Sequence, residues 1–336
     1  MKTIIVTGVT GQVGYYVAKQ ALNEGMNVVG VVRYSTNFND KFEDRQDLLS
    51  NSNFVVATGD LTDRASLDKV VGQHNPDYFV NCAAQSHVGE SWTIPYSTAE
   101  ITGLGVVNCL ESIRCNVRSK PCKFVQCSTS EMFGKNQDGY INEDTPLCAM
   151  SPYGVSKIFA HEMVRVYRES YGMPCSCVIM FNNTSPKRDK NFFVRKITSK
   201  MGELFNRDIN TIELGNLNFS RDWGFSGDYA KAIHMMLKSE NREDFVVSTG
   251  INTKGCQLIH LAFDYANGQL RRAGKEPFFS FDKHISHDTK FDRPNDLTYL
   301  LGDNSKIFKH LGWTPEHNIH DIVRIMVDYD VFGVDE

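Results

Sequence analysis

Residues 3–14 read TIIVTGVTGQVG and carry the main signal for the fold class. Its apolar, β-branched half predicts a buried strand, and Gly8, Gly11 and Gly14 predict a sharp turn that opens a helix. Glycine is required where the chain turns tightly and where backbone must approach a bound group closely. Because a helix N-terminus presents free amide donors, it favours anions. The stretch therefore predicts a strand–turn–helix unit whose turn binds phosphate.

The same alternation of strand and helix continues through the first 180 residues. Strands are predicted at 2–7, 27–32, 53–57, 78–81, 123–127 and 176–180, and helices at 12–24, 66–73, 98–115 and 152–171. This order is typical of βαβ units. We therefore predict an α/β fold: a Rossmann-type, doubly wound parallel sheet over residues 1–180, with a smaller mixed C-terminal substrate domain over residues 181–336. A strand near 245–249 is predicted to return to the edge of the sheet.

Composition excludes several classes of protein. The formal net charge of −4 argues against nucleic-acid binding. No apolar run approaches the roughly 18 residues that a membrane span needs, so no membrane association is expected. The nine cysteines are scattered without paired CxxC units, so we expect reduced thiols, no metal site and a cytoplasmic protein.

Two side chains in SPYGVSK, residues 151–157, point to redox chemistry at a hydroxyl group. Tyr153 and Lys157 stand one helical turn apart and share a helix face. A nearby ammonium favours the phenolate, so we expect a lowered pKa for Tyr153. A phenolate can remove a hydroxyl proton while the carbon loses hydride. Glu131, in STSE at 128–131, adds a carboxylate that simple oxidation does not require.

The glycine turn and the ends of the next strands indicate the cofactor. The turn contributes Thr10, Gln12 and Val13 beside its three glycines, as expected for a dinucleotide site. The second predicted strand ends in VVRYST without an acidic residue, and Arg33 suits a ribose 2′-phosphate, so NADP is favoured over NAD. Asp60, followed by Leu61 after the third strand, fits either an adenine contact or a helix cap.

The motifs taken together carry a family resemblance. TGVTGQVG, GDLTD, AAQSHV, STSE, SPYGVSK, RKIT, LGNL and RDWG occur in this order. In this order they resemble the GDP-mannose 4,6-dehydratases, which are extended short-chain dehydrogenase/reductases. The resemblance covers nearly the whole chain, and AAQSHV, STSE and RDWG in combination are its most specific part.

The resemblance implies a reaction in three steps on a GDP-linked sugar. The sugar is oxidised at C4 by NADP⁺, water is lost between C5 and C6, and hydride returns to C6. Tyr153 would remove the C4 hydroxyl proton, Lys157 would hold the nicotinamide ribose, and Thr129 or Ser128 would hydrogen-bond the C4 oxygen. Glu131 would take the C5 proton and then protonate the departing C6 hydroxyl.

Further binding residues are implied by the same matching. The cofactor contacts would include Ala83, Ala84, Gln85, Asn183 and Arg188. The substrate contacts would include Ser86, Asn182, Arg195, Lys196, Leu214, Asn216, Arg221 and Arg293, since a diphosphate needs cationic donors. A homodimer or a homotetramer is expected.

Several positions depart from the family pattern while the catalytic set is retained. Val13 stands where the family has an acid, Tyr34 where it has a second arginine, and Asn183 where it has a histidine. Because of these departures, the sequence indicates either GDP-mannose or a related GDP-manno-heptose as the substrate. An alternative function is that of a GDP-sugar C4 oxidoreductase or epimerase, which uses Tyr153 but never eliminates water.

Overall fold

The structure is a computed structural model that describes residues 1–35, 42–117, 120–134, 139–291 and 297–335. The strands in this part of the chain are β1 Thr3–Thr7, β2 Asn27–Val32, β3 Phe54–Thr58, β4 Tyr78–Asn81, β5 Lys123–Thr129, β6 Cys175–Met180, β7 Asn182–Thr184, β8 Ile212–Leu214, β9 Ser220–Phe225, β10 Phe245–Val247, β11 Asn252–Lys254, β12 Ile285–His287 and β13 Tyr299–Leu300. The helices are α1 Gln12–Asn23, α2 Gln46–Leu49, α3 Arg64–His74, α4 Pro95–Thr98, α5 Gly105–Asn116, α6 Pro152–Tyr171, α7 Phe193–Phe205, α8 Ser226–Lys238, α9 Gly255–Arg272, α10 Phe281–His284, α11 Ser305–Leu311 and α12 Ile319–Phe332.

Seven strands form one sheet in the order β10-β6-β5-β4-β1-β2-β3. Every neighbouring pair in it is parallel. The chain leaves β1 towards β2 on one side and later continues from β4 on the other, so the strand order reverses beside β1. The predicted Rossmann-type, doubly wound sheet is confirmed. In such a sheet, ligands bind at the carboxyl ends of the strands where the order reverses.

Both faces of the sheet are covered, as a parallel sheet requires. Successive residues of β1 illustrate this, because Ile4 and Val6 are buried in one core cluster and Ile5 in the other. Among the described residues, no helix combines the length and the apolar character that crossing a membrane would need.

Two elements that follow residue 180 pack on this large sheet. Strand β10 lies at its edge, parallel to β6, with Phe245 opposite Val178. Helix α8 packs against α1, and the His234 Nε2 atom lies 3.0 Å from the carbonyl oxygen of Val17. A second sheet, β11-β9-β13 with β7 beside β9, and the pair β12-β8 make up the smaller part. The domain boundary predicted near residue 180 therefore does not separate two spatial units cleanly, because β10 and α8 come after it in the sequence but pack with the first part.

The helix predicted over 98–115 is interrupted in the structure. Residues Ala99–Leu104 form a π-helical stretch between α4 and α5. Gly105 begins α5 where a Cβ atom would lie 2.8 Å from the Cβ atom of Leu61, and one on Gly103 would lie 3.3 Å from the Phe159 ring. Glycine is a poor helix former. At both positions, however, the absence of a side chain allows the helix to pack closely against Leu61 and Phe159. The apolar periodicity that predicted one helix does not register this packing.

A buried aspartate ties α8 to the segment before α12. Asp228 is 1% exposed, and its carboxylate accepts hydrogen bonds from the backbone N–H groups of Glu316 and His317, each at 2.9 Å. Its carbonyl oxygen accepts from Trp313 Nε1 at 3.0 Å. One carboxylate therefore provides the hydrogen-bond acceptor for two backbone N–H groups that are distant in the sequence.

We predict that Asp228→Ala destabilises the fold by on the order of 3 kcal/mol, because it leaves buried donors unsatisfied. Urea unfolding followed by circular dichroism would measure the change. Asp264→Ala, at an exposed position of α9, is the matched control and should change the free energy of unfolding by less than about 0.5 kcal/mol. Equal effects of the two substitutions would contradict the assignment.

Candidate active site

A cavity of about 540 Å³ lies at the carboxyl ends of the central strands. Its walls come from the glycine turn before α1, the end of β5, the start of α6 and the segment that follows β6. This is where a doubly wound sheet places its ligands. Most residues predicted for the site border this cavity: Gly8, Gly11, Gln12, Val13, Gly14, Ala84, Ser86, Ser128, Thr129, Glu131, Tyr153, Lys157, Asn182, Asn183, Arg188, Lys196, Leu214, Asn216 and Arg221.

The glycine turn has the geometry of an anion site. Gly8 has a φ of +64°, and a Cβ atom there would lie 2.8 Å from the backbone nitrogen of Ala83. A Cβ atom on Gly14 would lie 2.2 Å from the carbonyl oxygen of Gly8. Gly11, the N-cap residue of α1, has no side chain to cap the helix. The first amides of α1 therefore belong to the cavity wall, and this donor set fits a dinucleotide pyrophosphate.

Helix α6 begins where it does because of three local features. The Ser151 side chain caps the helix by accepting from the Gly154 N–H at 3.0 Å, and Pro152 occupies the first helical position. A Cβ atom on Gly154 would lie 2.7 Å from the carbonyl oxygen of Glu131. Gly154 thus allows the first turn of α6 to lie against Glu131, a role that its place inside SPYGVSK did not suggest.

Three successive turns of one face of α6 contact the end of β5. Tyr153 lies beside the Thr129 side chain, which lowers the pKa of Tyr153. The Lys157 Nζ atom donates to the carbonyl oxygen of Cys127 at 2.7 Å. One turn further on, His161 Nδ1 lies 3.2 Å from Ser128 Oγ.

This arrangement separates the roles of Thr129 and Ser128. Successive side chains of a strand point to opposite faces of the sheet. Ser128 is 1% exposed and its hydroxyl lies beside His161. Thr129 instead accepts from the Glu131 N–H at 3.3 Å and contacts Tyr153, so of the two hydroxyls the geometry favours Thr129 for a substrate contact.

The expected lowering of the Tyr153 pKa by Lys157 does not appear in the structure. Burial, and next the negative charge of Glu131, raise the pKa of Tyr153, while Thr129 and Arg188 act in the opposite direction. Lys157 lies 5.8 Å from the Tyr153 ring centroid, and burial lowers its own pKa. The prediction failed because helical spacing places the two side chains on one face but does not describe their burial. The cation that favours the phenolate here is Arg188, 31 residues beyond Lys157 in the sequence.

A buried hydrogen-bond network joins the glycine turn to the segment after β6. Gln12 Nε2 donates to Asn183 Oδ1 at 2.9 Å, and Ser226 Oγ donates to the same atom at 2.9 Å. Ser185 Oγ donates to Gln12 Oε1 at 3.1 Å. Because Arg188 follows in the same segment, the network connects the phosphate turn to a cation beside Tyr153.

The cavity is predominantly cationic and partly aromatic. Among the described residues, its charged side chains are Lys157, Arg188, Lys196, Arg221 and Lys290, with Glu90 and Glu131 as carboxylates. Phe193 stacks on Trp223 with ring centroids 6.0 Å apart, and Lys196 Nζ lies 3.2 Å from the centroid of the Phe291 ring. Glu90, Lys290 and these aromatic residues were not predicted. Only the general richness of residues 182–226 in Asn, basic and aromatic side chains signalled such a wall.

Arg195 does not have the role expected of it. It is 5% exposed, and its Nε atom lies 2.9 Å from Asp330 Oδ2. Thr198 Oγ1 donates to the same carboxylate at 2.5 Å. The Arg195 charge is therefore satisfied inside the protein, where it holds α7 against α12, and the cavity lining does not include it. An RKIT motif alone cannot show which way its arginine faces.

The remaining predicted residues in the described part of the chain are not in the cavity wall. Asp60 Oδ1 accepts from the backbone and hydroxyl of Thr62, each at 2.9 Å, and the N-cap of α3 is Asp63, so the helix-cap alternative for Asp60 is wrong. Gln85 Nε2 donates to the carbonyl oxygen of His87 at 3.3 Å. Thr10, Arg33, Leu61 and Ala83 are also outside the lining. Arg293 falls outside the described residues.

One group of potential metal ligands occurs in the described part of the chain. Donor atoms of His161, Cys177 and Asp244 lie within 4.8 Å of one another. Arg168 binds both oxygens of the Asp244 carboxylate, each at 2.8 Å. Because this guanidinium already neutralises the carboxylate, the group has the character of a structural ion pair.

Comparisons with known proteins identify the family of this chain. The family model described as GDP-mannose 4,6 dehydratase matches residues 5–326. The GDP-mannose 4,6-dehydratase of Vibrio cholerae is 36% identical to this chain, over 98% of this chain and 94% of that protein.

Two solved structures resemble the fold. The UDP-glucuronic acid 4-epimerase of Bacillus cereus, in complex with UDP-glucuronic acid and NAD, has a TM-score of 0.83 at 20% identity, over 99% of this chain and 100% of that one. RMD from Pseudomonas aeruginosa, complexed with NADPH, has a TM-score of 0.75 at 20% identity, over 98% of this chain and 99% of that one. At these identities the likeness concerns the fold. The family model and the Vibrio protein go further, and the chain belongs to the GDP-mannose 4,6-dehydratase family.

Proposed function

We propose that the protein is an NADP-dependent GDP-mannose 4,6-dehydratase, a hydro-lyase that converts GDP-mannose to the 4-keto-6-deoxy sugar. The observation that carries this proposal is the position of Glu131. Its backbone packs on the first turn of α6 and its charge acts on Tyr153. A carboxylate beside the tyrosine that deprotonates the C4 hydroxyl can act as the acid and base for eliminating water. An oxidoreductase or epimerase does not perform this step.

Tyr153 and Thr129 would act on the C4 hydroxyl of the sugar. Thr129 would hold the C4 oxygen while Tyr153, as the phenolate, takes its proton. Arg188 favours that phenolate electrostatically. Lys157, fixed on the Cys127 carbonyl, would hold the nicotinamide ribose. A bound nicotinamide dinucleotide would supply the hydride acceptor for C4 and the hydride donor for C6.

Glu131 would then carry out the elimination. The C4 ketone makes the C5–H bond acidic, so one carboxylate can take the C5 proton and deliver it to the departing C6 hydroxyl, which leaves as water. Hydride addition at C6 and a proton at C5 complete the product. The overall change is the loss of one water, with no net oxidation of the sugar.

The cationic wall supports a nucleotide diphosphate as the rest of the substrate. Arg221 is 4% exposed and borders the cavity. Lys196 also borders the cavity, beside Phe291. Buried cations raise the strength of phosphate hydrogen bonds. We propose that Asn182, Leu214, Asn216 and Ser86 contact the nucleoside or the sugar, and that Arg293 completes the nucleotide end.

For the cofactor we propose NADP. Arg33 directly follows β2, where the adenosine ribose lies in Rossmann folds. Asp60 and Leu61 would meet the adenine ring, and Ala83, Ala84 and Gln85 would border the ribose and nicotinamide side. GDP-mannose is the proposed substrate, and a GDP-manno-heptose is the second candidate because positions around the catalytic set differ from the family pattern.

We propose a cytoplasmic homo-oligomer, a dimer or tetramer. All nine cysteines are free thiols, in keeping with a reducing compartment. Helix α6 presents apolar side chains outward, with Val155 58% exposed and Phe159 41% exposed. Leu104 nearby is 54% exposed. Such a surface supports packing against a second copy.

The proposed reaction predicts where each hydrogen travels. With NADP⁺ and GDP-mannose deuterated at C4, the deuterium should appear at C6 of the product, and reduced nicotinamide should not accumulate. In D₂O, solvent deuterium should enter at C5. Nuclear magnetic resonance of the product would measure both positions. Absence of turnover with GDP-mannose and with GDP-manno-heptose would contradict the proposal.

Glu131→Gln should abolish elimination while C4 oxidation continues, because the amide cannot accept the C5 proton. Reduced nicotinamide should then accumulate to at most one equivalent per site, measured by absorbance. Glu90→Gln, at the other carboxylate bordering the cavity, is the matched control and should still form the 6-deoxy product. If Glu131→Gln forms the 6-deoxy product at the wild-type rate, Glu131 does not carry out the elimination. If the wild-type protein itself forms no 6-deoxy product from GDP-mannose, the function is that of an epimerase or oxidoreductase.

The pH dependence of C4 oxidation should respond in opposite directions to the two charges beside Tyr153. Since the phenolate is reactive, the rate should rise about tenfold per pH unit below the Tyr153 pKa. Glu131 raises that pKa and Arg188 lowers it, so Glu131→Gln should shift the rising limb to lower pH and Arg188→Gln to higher pH. Single-turnover absorbance would measure the limb. Arg165→Gln, exposed on α6, should leave it in place, and shifts of one sign in both variants would refute the assignment.

Arg33→Ala should weaken NADP binding by about tenfold, the loss of a charge-assisted contact to phosphate, while NAD binding stays within about twofold. Calorimetric titration of both dinucleotides would measure the two dissociation constants. Lys69→Ala on α3 serves as the control for general charge. Equal weakening of NADP and NAD would show that Arg33 does not meet the 2′-phosphate.

A further inference from the structure

Two thiols face each other in the floor of the cavity. The Sγ atoms of Cys82 and Cys127 lie 3.6 Å apart, and both residues border the cavity. Asn81 pairs with Gln126 in the parallel β4–β5 ladder, so Cys82 and Cys127 continue the register as the next pair. Neighbouring strands lie about 4.8 Å apart. That spacing falls inside the Cα separation of about 4.4–6.8 Å that a disulfide requires.

Each thiol is attached to a different part of the site. The Cys127 carbonyl accepts from Lys157 Nζ at 2.7 Å and from Gln126 Nε2 at 3.0 Å. Gly8 packs so closely on the backbone of Cys82 and Ala83 that a Cβ atom would lie within 3.0 Å of both. A covalent bond between the two sulfurs would therefore disturb the lysine anchor and the glycine turn together.

We propose that Cys82 and Cys127 form an oxidation-sensitive dithiol that closes to a disulfide and reversibly switches the site off. The oxidant is a small-molecule disulfide that enters through the cavity. Cys82 is partly exposed and Cys127 is buried, which sets the order of events. Cys82 attacks the oxidant to form a mixed disulfide, and Cys127 then displaces the remaining thiol.

The exchange balances with oxidised glutathione as the reactant. The S–S bond of glutathione disulfide breaks, the Cys82–Cys127 bond forms, and two electrons and two protons pass to two glutathione thiols. The Sγ separation must fall from 3.6 Å to about 2.05 Å. The neighbouring thiol and burial raise the pKa of Cys82, and Lys157 acts against them. Because thiolate is the attacking species, the exchange should be slow at neutral pH and faster in alkaline buffer.

Oxidised glutathione is the probe, and intact-protein mass is the first measurement. The reacted chain should lose two hydrogens, about 2 Da, and peptide mapping should join Cys82 to Cys127. NADP binding, measured by calorimetry, should weaken by at least about tenfold, and dithiothreitol should restore it. Turnover of GDP-mannose should fall and recover in parallel. The mass and binding measurements stand whatever the substrate proves to be.

Cys82→Ser and Cys127→Ser should each keep their own starting dinucleotide affinity after the same treatment. Cys115→Ser and Cys148→Ser, at exposed thiols, are the matched controls and should stay as sensitive as the wild type. Three outcomes overturn the proposal: a stable glutathione adduct without ring closure, a disulfide mapped to other cysteines, or unchanged NADP binding once Cys82 and Cys127 are joined. If a serine variant does not fold, the wild-type mapping and binding measurements alone decide.

Discussion

The contact between α6 and the end of β5 is the interaction on which the site depends. Tyr153, Lys157 and His161 lie on successive turns of α6. Tyr153 lies beside Thr129, Lys157 donates to the Cys127 carbonyl oxygen, and His161 lies at hydrogen-bond distance from the Ser128 hydroxyl. Each contact joins a side chain of the helix to one of the last three residues of the buried strand β5. The Tyr153 phenol is therefore positioned relative to the sheet. Glu131 lies where it does because Gly154 lets the helix approach its carbonyl oxygen. Base, hydroxyl and carboxylate therefore share one frame.

The phosphate turn is connected to this frame through side chains rather than through the sheet alone. Gln12, Asn183 and Ser226 hydrogen-bond in a buried cluster, and the segment that carries Asn183 also carries Arg188. The same segment therefore links Arg188, which favours the Tyr153 phenolate, to the glycine turn, which fits a pyrophosphate. Asn183 departs from the family pattern, and its hydrogen bond with Ser226 shows how this chain satisfies the changed position.

Much of the site could be predicted because its chemistry is encoded at short range. The glycines at 8, 11 and 14 adjoin a strand and a helix, and Tyr153 and Lys157 are one turn apart, so local spacing suffices. The predicted substrate contact of Arg195 was wrong because its ion-pair partner, Asp330, is distant in the chain. The helix predicted over 98–115 is present, but residues Ala99–Leu104 are π-helical, and the periodicity does not contain the close packing of Gly103 against Phe159 and of Gly105 against Leu61.

The doubly wound sheet, the glycine turn and the proposed catalytic side chains could be predicted from the sequence alone, because strand, turn and helix signals act within a few residues. The tertiary structure was needed to show that Thr129 acts on Tyr153 while Ser128 lies beside His161, and that Arg188 is a cation that acts on Tyr153. It also brought Cys82 and Cys127 together from neighbouring strands. These properties depend on burial and on distances between segments far apart in the chain, and no local pattern carries that information.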